Sequence, residues 1–173
     1  MSGPPHLLVS VTEIRRHPGT RIDVHRTLEA HALAVGDASV PDGAEVELEG
    51  ELESIHEGVV LTGSVEVPWV GLCRRCLIDF AGVATVAVRE VYETHPVEGD
   101  TWPIESDQVD VGPLLRDTAL LALPLAPLCG PDCQGPAPEE FPTAVEGSDT
   151  ASSGHQAEAA MDPRWAALDD LEL

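Results

Sequence analysis

The sequence predicts an α+β fold: an antiparallel meander sheet or partial β-barrel covered by one main helix. Three observations carry this. Between Ala44 and Tyr92, apolar residues recur at every second position in several runs separated by glycines and turns, the period of half-buried strands. From Val111 to Leu123 the chain is apolar at helical density, and Asp110 and Pro124 bound the stretch. Aromatic residues make up only 3% of a chain that is 43% hydrophobic, so the core must rest on Val, Leu and Ala.

Leu7 to Val11 is a short apolar run and reads as a first strand. Pro18-Gly19 marks a turn, and Arg21 to Leu28 reads as a second extended segment. Val46, Leu48 and Leu52 alternate with Glu45, Glu47, Glu49, Glu51 and Glu53 around Gly50, which describes a strand with an acidic outer face. Val59 to Thr62 continues after Gly58, and Gly63 is expected to break or bulge that run. Val65, Val67 and Trp69 alternate again, Leu72 to Cys76 makes a turn, and Val83 to Tyr92 is a further strand. Glu93 to Gln108, with Pro96 and Pro103, reads as an acidic loop.

Asp110 is a suitable cap for a helix over Val111 to Leu123. Pro113 fits its first turn and Pro124 ends it. Leu114, Leu115, Thr118, Ala119, Leu121 and Leu123 are too apolar for an exposed helix and should cover the sheet. The domain is therefore expected over residues 1–133. Residues 134–161, rich in Pro, Gly, Ser and Ala and without Arg, read as a disordered acidic linker. Residues 162–173 read as a short C-terminal helical tag: Asp162-Pro163 starts it, and Trp165, Leu168 and Leu171 form an apolar stripe for docking on this protein or on a partner.

The chain carries 31 acidic residues against 9 Arg and no Lys, a formal charge of −22. Such a charge repels bare phosphate backbones and attracts basic partners. It is uneven: Arg15, Arg16, Arg21 and Arg26 fall in the first 36 residues against only Glu13, Asp23 and Glu29. That segment is the one region suited to an anion. No run approaches the ~20 apolar residues of a membrane span, and no secretory signal is recognisable, so a cytoplasmic setting is expected. P-loop, dinucleotide-binding, nucleophile-elbow and H-E-x-x-H patterns are all missing, and the seven His lack ligand spacing. No residue takes a nameable catalytic role, which favours a protein that binds over an enzyme.

Four cysteines form two close pairs, Cys73-Arg74-Arg75-Cys76 and Cys129-Gly130-Pro131-Asp132-Cys133. In a chain without a signal, such pairs read as thiols or metal ligands before disulfides. Two tight turns, each aiming two thiolates at one point, supply the four soft ligands that zinc takes. Four thiolates around Zn²⁺ leave a charge of −2, and Arg74 and Arg75 lie where they can offset it. The alternatives are four thiols without metal, or a redox pair at Cys73 and Cys76; redox C-x-x-C sites usually open a helix, and Leu77-Ile78-Asp79-Phe80 does not read as one.

Taken together these segments resemble the YceD family, described as large ribosomal RNA subunit accumulation proteins. The likeness rests on Arg15-Arg16-His17-Pro18-Gly19, on the run from Leu52 to Gly63, on Cys73-Arg74-Arg75-Cys76-Leu77, on Leu121 to Cys129 with Cys133-Gln134-Gly135 after it, and on Asp162-Pro163-Arg164-Trp165-Ala166-Ala167-Leu168. The resemblance implies a cytoplasmic, non-enzymatic role in the synthesis, processing or stability of large-subunit ribosomal RNA. Its partners would be that RNA or a pre-ribosome and a basic ribosomal protein, with no membrane and no small-molecule substrate. Alternatives are an acidic chaperone of a small basic ribosomal protein, and a zinc-binding or thiol-dependent enzyme. The chain departs from the pattern at Pro136 to Phe141, where many members carry a further cysteine pair. A zinc site here survives only if Cys129 and Cys133 join Cys73 and Cys76.

Overall fold

A computed structural model describes residues 6–140. Most of the expected linker (141–161) and the C-terminal tag with Trp165, Leu168 and Leu171 lie outside the described residues.

The strands are β1 (Leu8–Ser10), β2 (Arg21–Glu29), β3 (Ala34–Val35), β4 (Ala38–Ser39), β5 (Glu45–Ser54), β6 (Gly58–Leu72), β7 (Asp79–Glu93), β8 (Trp102–Glu105) and β9 (Gln108–Asp110). A 3-10 turn, Ile14–Arg16, follows β1, and one helix, α1 (Gly112–Ala122), follows β9. The protein is thus mostly sheet. β2, β5, β6 and β7 pair antiparallel in that order, as a meander. The rest departs from a meander: β7 pairs β8 in parallel, β9 pairs β8, and β1 returns to pair β9. β4 adds to the far end of β6 at Val70 and Gly71, beyond the reach of β5.

The sheet curls into a half-barrel, and its glycines show why. Gly50 and Gly63 are directly opposed across β5 and β6, and the row continues to Val24 on β2 and Val88 on β7. A Cβ on Gly63 would lie 2.3 Å from the Glu49 carbonyl oxygen and 2.7 Å from the Gly50 Cα. Two missing side chains on the concave face let the strands coil tightly there. Gly63 therefore neither breaks nor bulges β6, which runs unbroken for 15 residues. Curling brings the two ends of the sheet together: Arg26 on β2 reaches the Leu8 carbonyl on β1, with Nη2 at 3.4 Å.

Alternation works as expected on the concave face. Val46, Leu48 and Leu52 of β5 and Val59, Leu61, Val65 and Val67 of β6 are buried, as are Val88 and Tyr92 of β7. Helix α1 lies over them with Leu114, Leu115, Thr118 and Ala119 buried, and Leu123 follows into the core. Leu121 does not cover the sheet: it is 87% exposed, because two residues past Ala119 places it about 200° around the helix. The expected loop over Glu93–Gln108 instead contains β8 and the start of β9, joined by Ser106 and Asp107 at φ 51° and 57°. Two successive left-handed residues form the tight hairpin turn whose twist matches paired strands.

Asp110 is one position outside the formal cap, which is Val111. Its Oδ1 accepts the Gly112 N–H at 2.9 Å and also the Leu7 N–H at 2.9 Å, while Oδ2 meets His6 Nδ1 at 2.6 Å. One carboxylate thus joins the helix start to β1. Burial opposes its ionisation, but the Gly112 N–H, His6 and the Leu7 N–H outweigh that and hold its pKa below the usual carboxylate value.

Candidate metal centre

The long β6–β7 hairpin ends at the Leu72–Asp79 pair, so Cys73 to Ile78 form its tip. Cys73 N–H donates to the Ile78 carbonyl at 2.9 Å, and Leu77 N–H donates to the Cys73 carbonyl at 2.9 Å. Leu77 takes φ +59° to close this knuckle, a left-handed conformation that costs a non-glycine residue ~1–2 kcal/mol. Its side chain is exposed.

The second cysteine pair arrives from the helix. Leu123 is extended at φ −66° and ψ 130°, as a residue before proline prefers. Pro124, Pro127 and Pro131 then keep the chain out of helix and ladder. The segment crosses to the hairpin tip, where the Pro127 carbonyl accepts the Arg74 N–H at 2.9 Å. Arg75 Nη1 donates to the Cys133 carbonyl at 3.1 Å.

All four thiols converge. Their Sγ atoms lie within 4.8 Å of one another. Cys73 and Cys133 approach to 3.7 Å, as do Cys76 and Cys129. Sulfurs held at about 2.3 Å from a central ion form a tetrahedron with an edge of roughly 3.8 Å. The cluster therefore has the size of a tetrathiolate site, and thiols of one pair meet thiols of the other. Cys73 is buried and Cys129 exposed, so the cluster sits at the surface with one wall inside.

The thiols differ electrically. The Cys76 N–H and then the Cys129 N–H draw the Cys73 thiol down to about 5 against the effect of burial, with the Arg75 N–H assisting. Cys129 is pushed up to about 12 by hydrogen bonds to the thiols of Cys133, Cys73 and Cys76. At Cys76 the Ile78 N–H lowers the value, but burial and the Cys73 and Cys133 thiols outweigh it, and the net direction is upward. The apo cluster thus favours one thiolate and resists the next. A divalent cation removes that resistance, because it neutralises the charge that each further thiolate adds.

Of the four N-terminal arginines, three have partners within the described residues. Arg15 is ion-paired with Asp107 and donates to Thr94 Oγ1 at 3.2 Å. Arg21 bridges Glu51 and Glu53, each at 3.1 Å. Arg26 donates to the carbonyls of His25 and Leu8. Arg16 is exposed on the 3-10 turn, and its guanidinium has no partner among the described residues. Sequence reasoning missed the bond between Trp102 Nε1 and Glu90 at 3.0 Å and the stacking of Trp102 on Tyr92 at 6.4 Å. An indole two residues before Ile104 in a short apolar run was the available signal.

Fold and cluster together define a curled-sheet protein with four cysteines placed to hold one metal ion. A family model described as large ribosomal RNA subunit accumulation protein YceD matches residues 61–172. The chain belongs to the YceD family. An uncharacterized protein of Mycobacterium tuberculosis is 33% identical over 175 residues, covering 95% of this chain and 81% of the relative. An uncharacterized protein of Mycobacterium leprae is 28% identical, covering 95% and 77%. The uncharacterized protein YlbN of Bacillus subtilis is 21% identical, covering 94% of each. No solved structure matches this chain. Among the described residues no helix is long and apolar enough to cross a membrane.

Proposed function

We propose that this protein is a non-enzymatic, cytoplasmic factor in ribosome biogenesis. It supports the synthesis, processing or stability of large-subunit ribosomal RNA and is built around a structural zinc site at Cys73, Cys76, Cys129 and Cys133. The family match over residues 61–172 is the observation that carries the ribosomal role. Three features support zinc: four converging thiols, separations that match a tetrahedral edge, and contacts that join Cys73 to Cys133 and Cys76 to Cys129. No helix follows Cys76 to lower a redox thiol; the chain enters β7 instead.

Contact with RNA falls first on Arg16, since Arg15, Arg21 and Arg26 already hold the fold together. Depleting the protein from cells should lower large-subunit RNA relative to small-subunit RNA, and crosslinking should recover that RNA with the protein. Unchanged subunit ratios after depletion remove the proposal. The convex face favours a second partner. Glu45, Glu47, Glu49, Glu51 and Glu53 line up on β5, and Glu66 stands beside Glu47, a surface suited to a basic ribosomal protein. Co-purification of such a protein without RNA supports this chaperone reading.

A further inference from the structure

A cavity of about 440 Å³ lies away from the thiolate cluster, bounded by β1, the β8–β9 hairpin and the first turn of α1. His6, Leu8, Trp102, Glu105, Gln108 and Asp110 are among its lining residues, and no Arg lines it. Its groups are fixed in ways that restrict what can bind. Trp102 has spent its N–H on Glu90 at 3.0 Å, and the indole stacks on the buried ring of Tyr92 at 6.4 Å. What it offers the cavity is π surface and carbon. His6 has its Nδ1 committed to Asp110, and the Asp110 carboxylate is held by three donors. Glu105 is exposed and has no partner among the described residues. Two guanidiniums lie nearby, and both are engaged: Arg15 is paired with Asp107, and Arg26 donates to the carbonyls of His25 and Leu8.

The free charged group that lines the cavity is therefore the Glu105 carboxylate, beside one anchored aromatic ring and the His6–Asp110 pair. No Arg lines the cavity to meet a phosphate, and the chain's charge of −22 repels one. A guanidinium or ammonium on an apolar stem meets all three surfaces: the indole face attracts the cation, the Glu105 carboxylate accepts its N–H groups, and Leu8, 47% exposed, covers the methylenes. We propose that this cavity receives an arginine or lysine side chain of a basic polypeptide. A polypeptide is favoured over a free amine because the cavity is open and each further basic residue gains from the same field. This adds a discrete cavity to the acidic-face reading without resting on it, and it does not depend on the metal.

The test is a titration of the full-length ¹⁵N-labelled protein, followed at the Trp102 indole N–H and the Gln108 amide, with the indole resonance assigned through Trp102→Phe. The probes are a glycine-spaced di-arginine peptide, the same peptide with citrulline, and agmatine. The arginine peptide should shift both signals, and Glu105→Gln, at an exposed partnerless position, should weaken it about tenfold. The citrulline peptide should bind at least about tenfold more weakly, and so should agmatine. The same shifts in Cys129→Ser keep this outcome separate from the fate of the metal site. Equal binding of citrulline overturns the proposal, as does an unaffected Glu105→Gln variant. Agmatine binding as tightly as the peptide assigns the cavity to a free amine and overturns the polypeptide source. Binding that requires removal of residues 1–5 assigns it to this chain's own N-terminus and overturns it as well.

Discussion

With zinc held at the four cysteines as proposed, its removal should release one segment and leave the sheet standing, and the chain path sets the size of the effect. The ion would close a loop of roughly 55 residues between the two cysteine pairs, worth about 4 kcal/mol in a chain-entropy treatment. A local route is cheaper. Beyond Leu123, the N–H to oxygen bonds that tie the second pair to the hairpin tip include Arg74 N–H to Pro127 and Arg75 to Cys133, with the weaker Cys129 N–H to Cys73 sulfur contact beside them. At ~1 kcal/mol net each, they hold the segment by about 2 kcal/mol, a protection factor of about 30. With metal bound, opening costs on the order of 10 kcal/mol and should not be seen. Hydrogen exchange at the Arg74 amide and in residues 124–133 is the assay, with and without a chelator, beside metal analysis for one zinc per chain. Chelation should drop protection there to about 30-fold or less while β5, β6 and β7 between Glu45 and Tyr92 keep theirs. Unchanged exchange at Arg74, or loss of protection throughout the sheet, refutes this account.

Other outcomes follow from single contacts. Asp110→Ala removes the acceptor for the Gly112 and Leu7 N–H groups and should cost about 1–2 kcal/mol in urea unfolding at pH 7. Because the folded carboxyl titrates below its ordinary 3.8, that contribution is full above this value and fades as pH falls further, so variant and parent should converge in acid. Gly63→Ala puts a methyl 2.3 Å from the Glu49 carbonyl, and a loss of about 3 kcal/mol is expected in the same assay. A loss under ~0.5 kcal/mol would show that the crease is not tight. Leu77→Gly relieves a left-handed leucine at φ +59° and should raise the melting temperature slightly, by the equivalent of ~1 kcal/mol. It should leave metal stoichiometry unchanged.

Local patterns were legible without coordinates. The alternation through β5 named its concave residues correctly, because a strand's faces are set by a period of two whatever it packs against. The helix after Asp110 was legible from its bounding polar cap and proline, although Leu121 turned outward. β8 and β9, of 4 and 3 residues, were missed because such short strands show no periodicity and exist only through their ladder partners.

The candidate site divides the same way. The sequence by itself determined the two close thiol pairs, the scarcity of cations and the resemblance to the YceD family, since all three are matters of spacing and composition. Only the tertiary structure decided that Cys73 faces Cys133 and Cys76 faces Cys129, each at 3.7 Å. That meeting needs a hairpin of two 15-residue strands to carry one pair outward and a proline-rich segment to bring the other back. The structure also showed that Arg15, Arg21 and Arg26 each have partners within the chain. A charge count records how many cations a segment holds. Whether each is already neutralised depends on carboxylates and carbonyls that are distant in sequence and become neighbours only when the sheet curls.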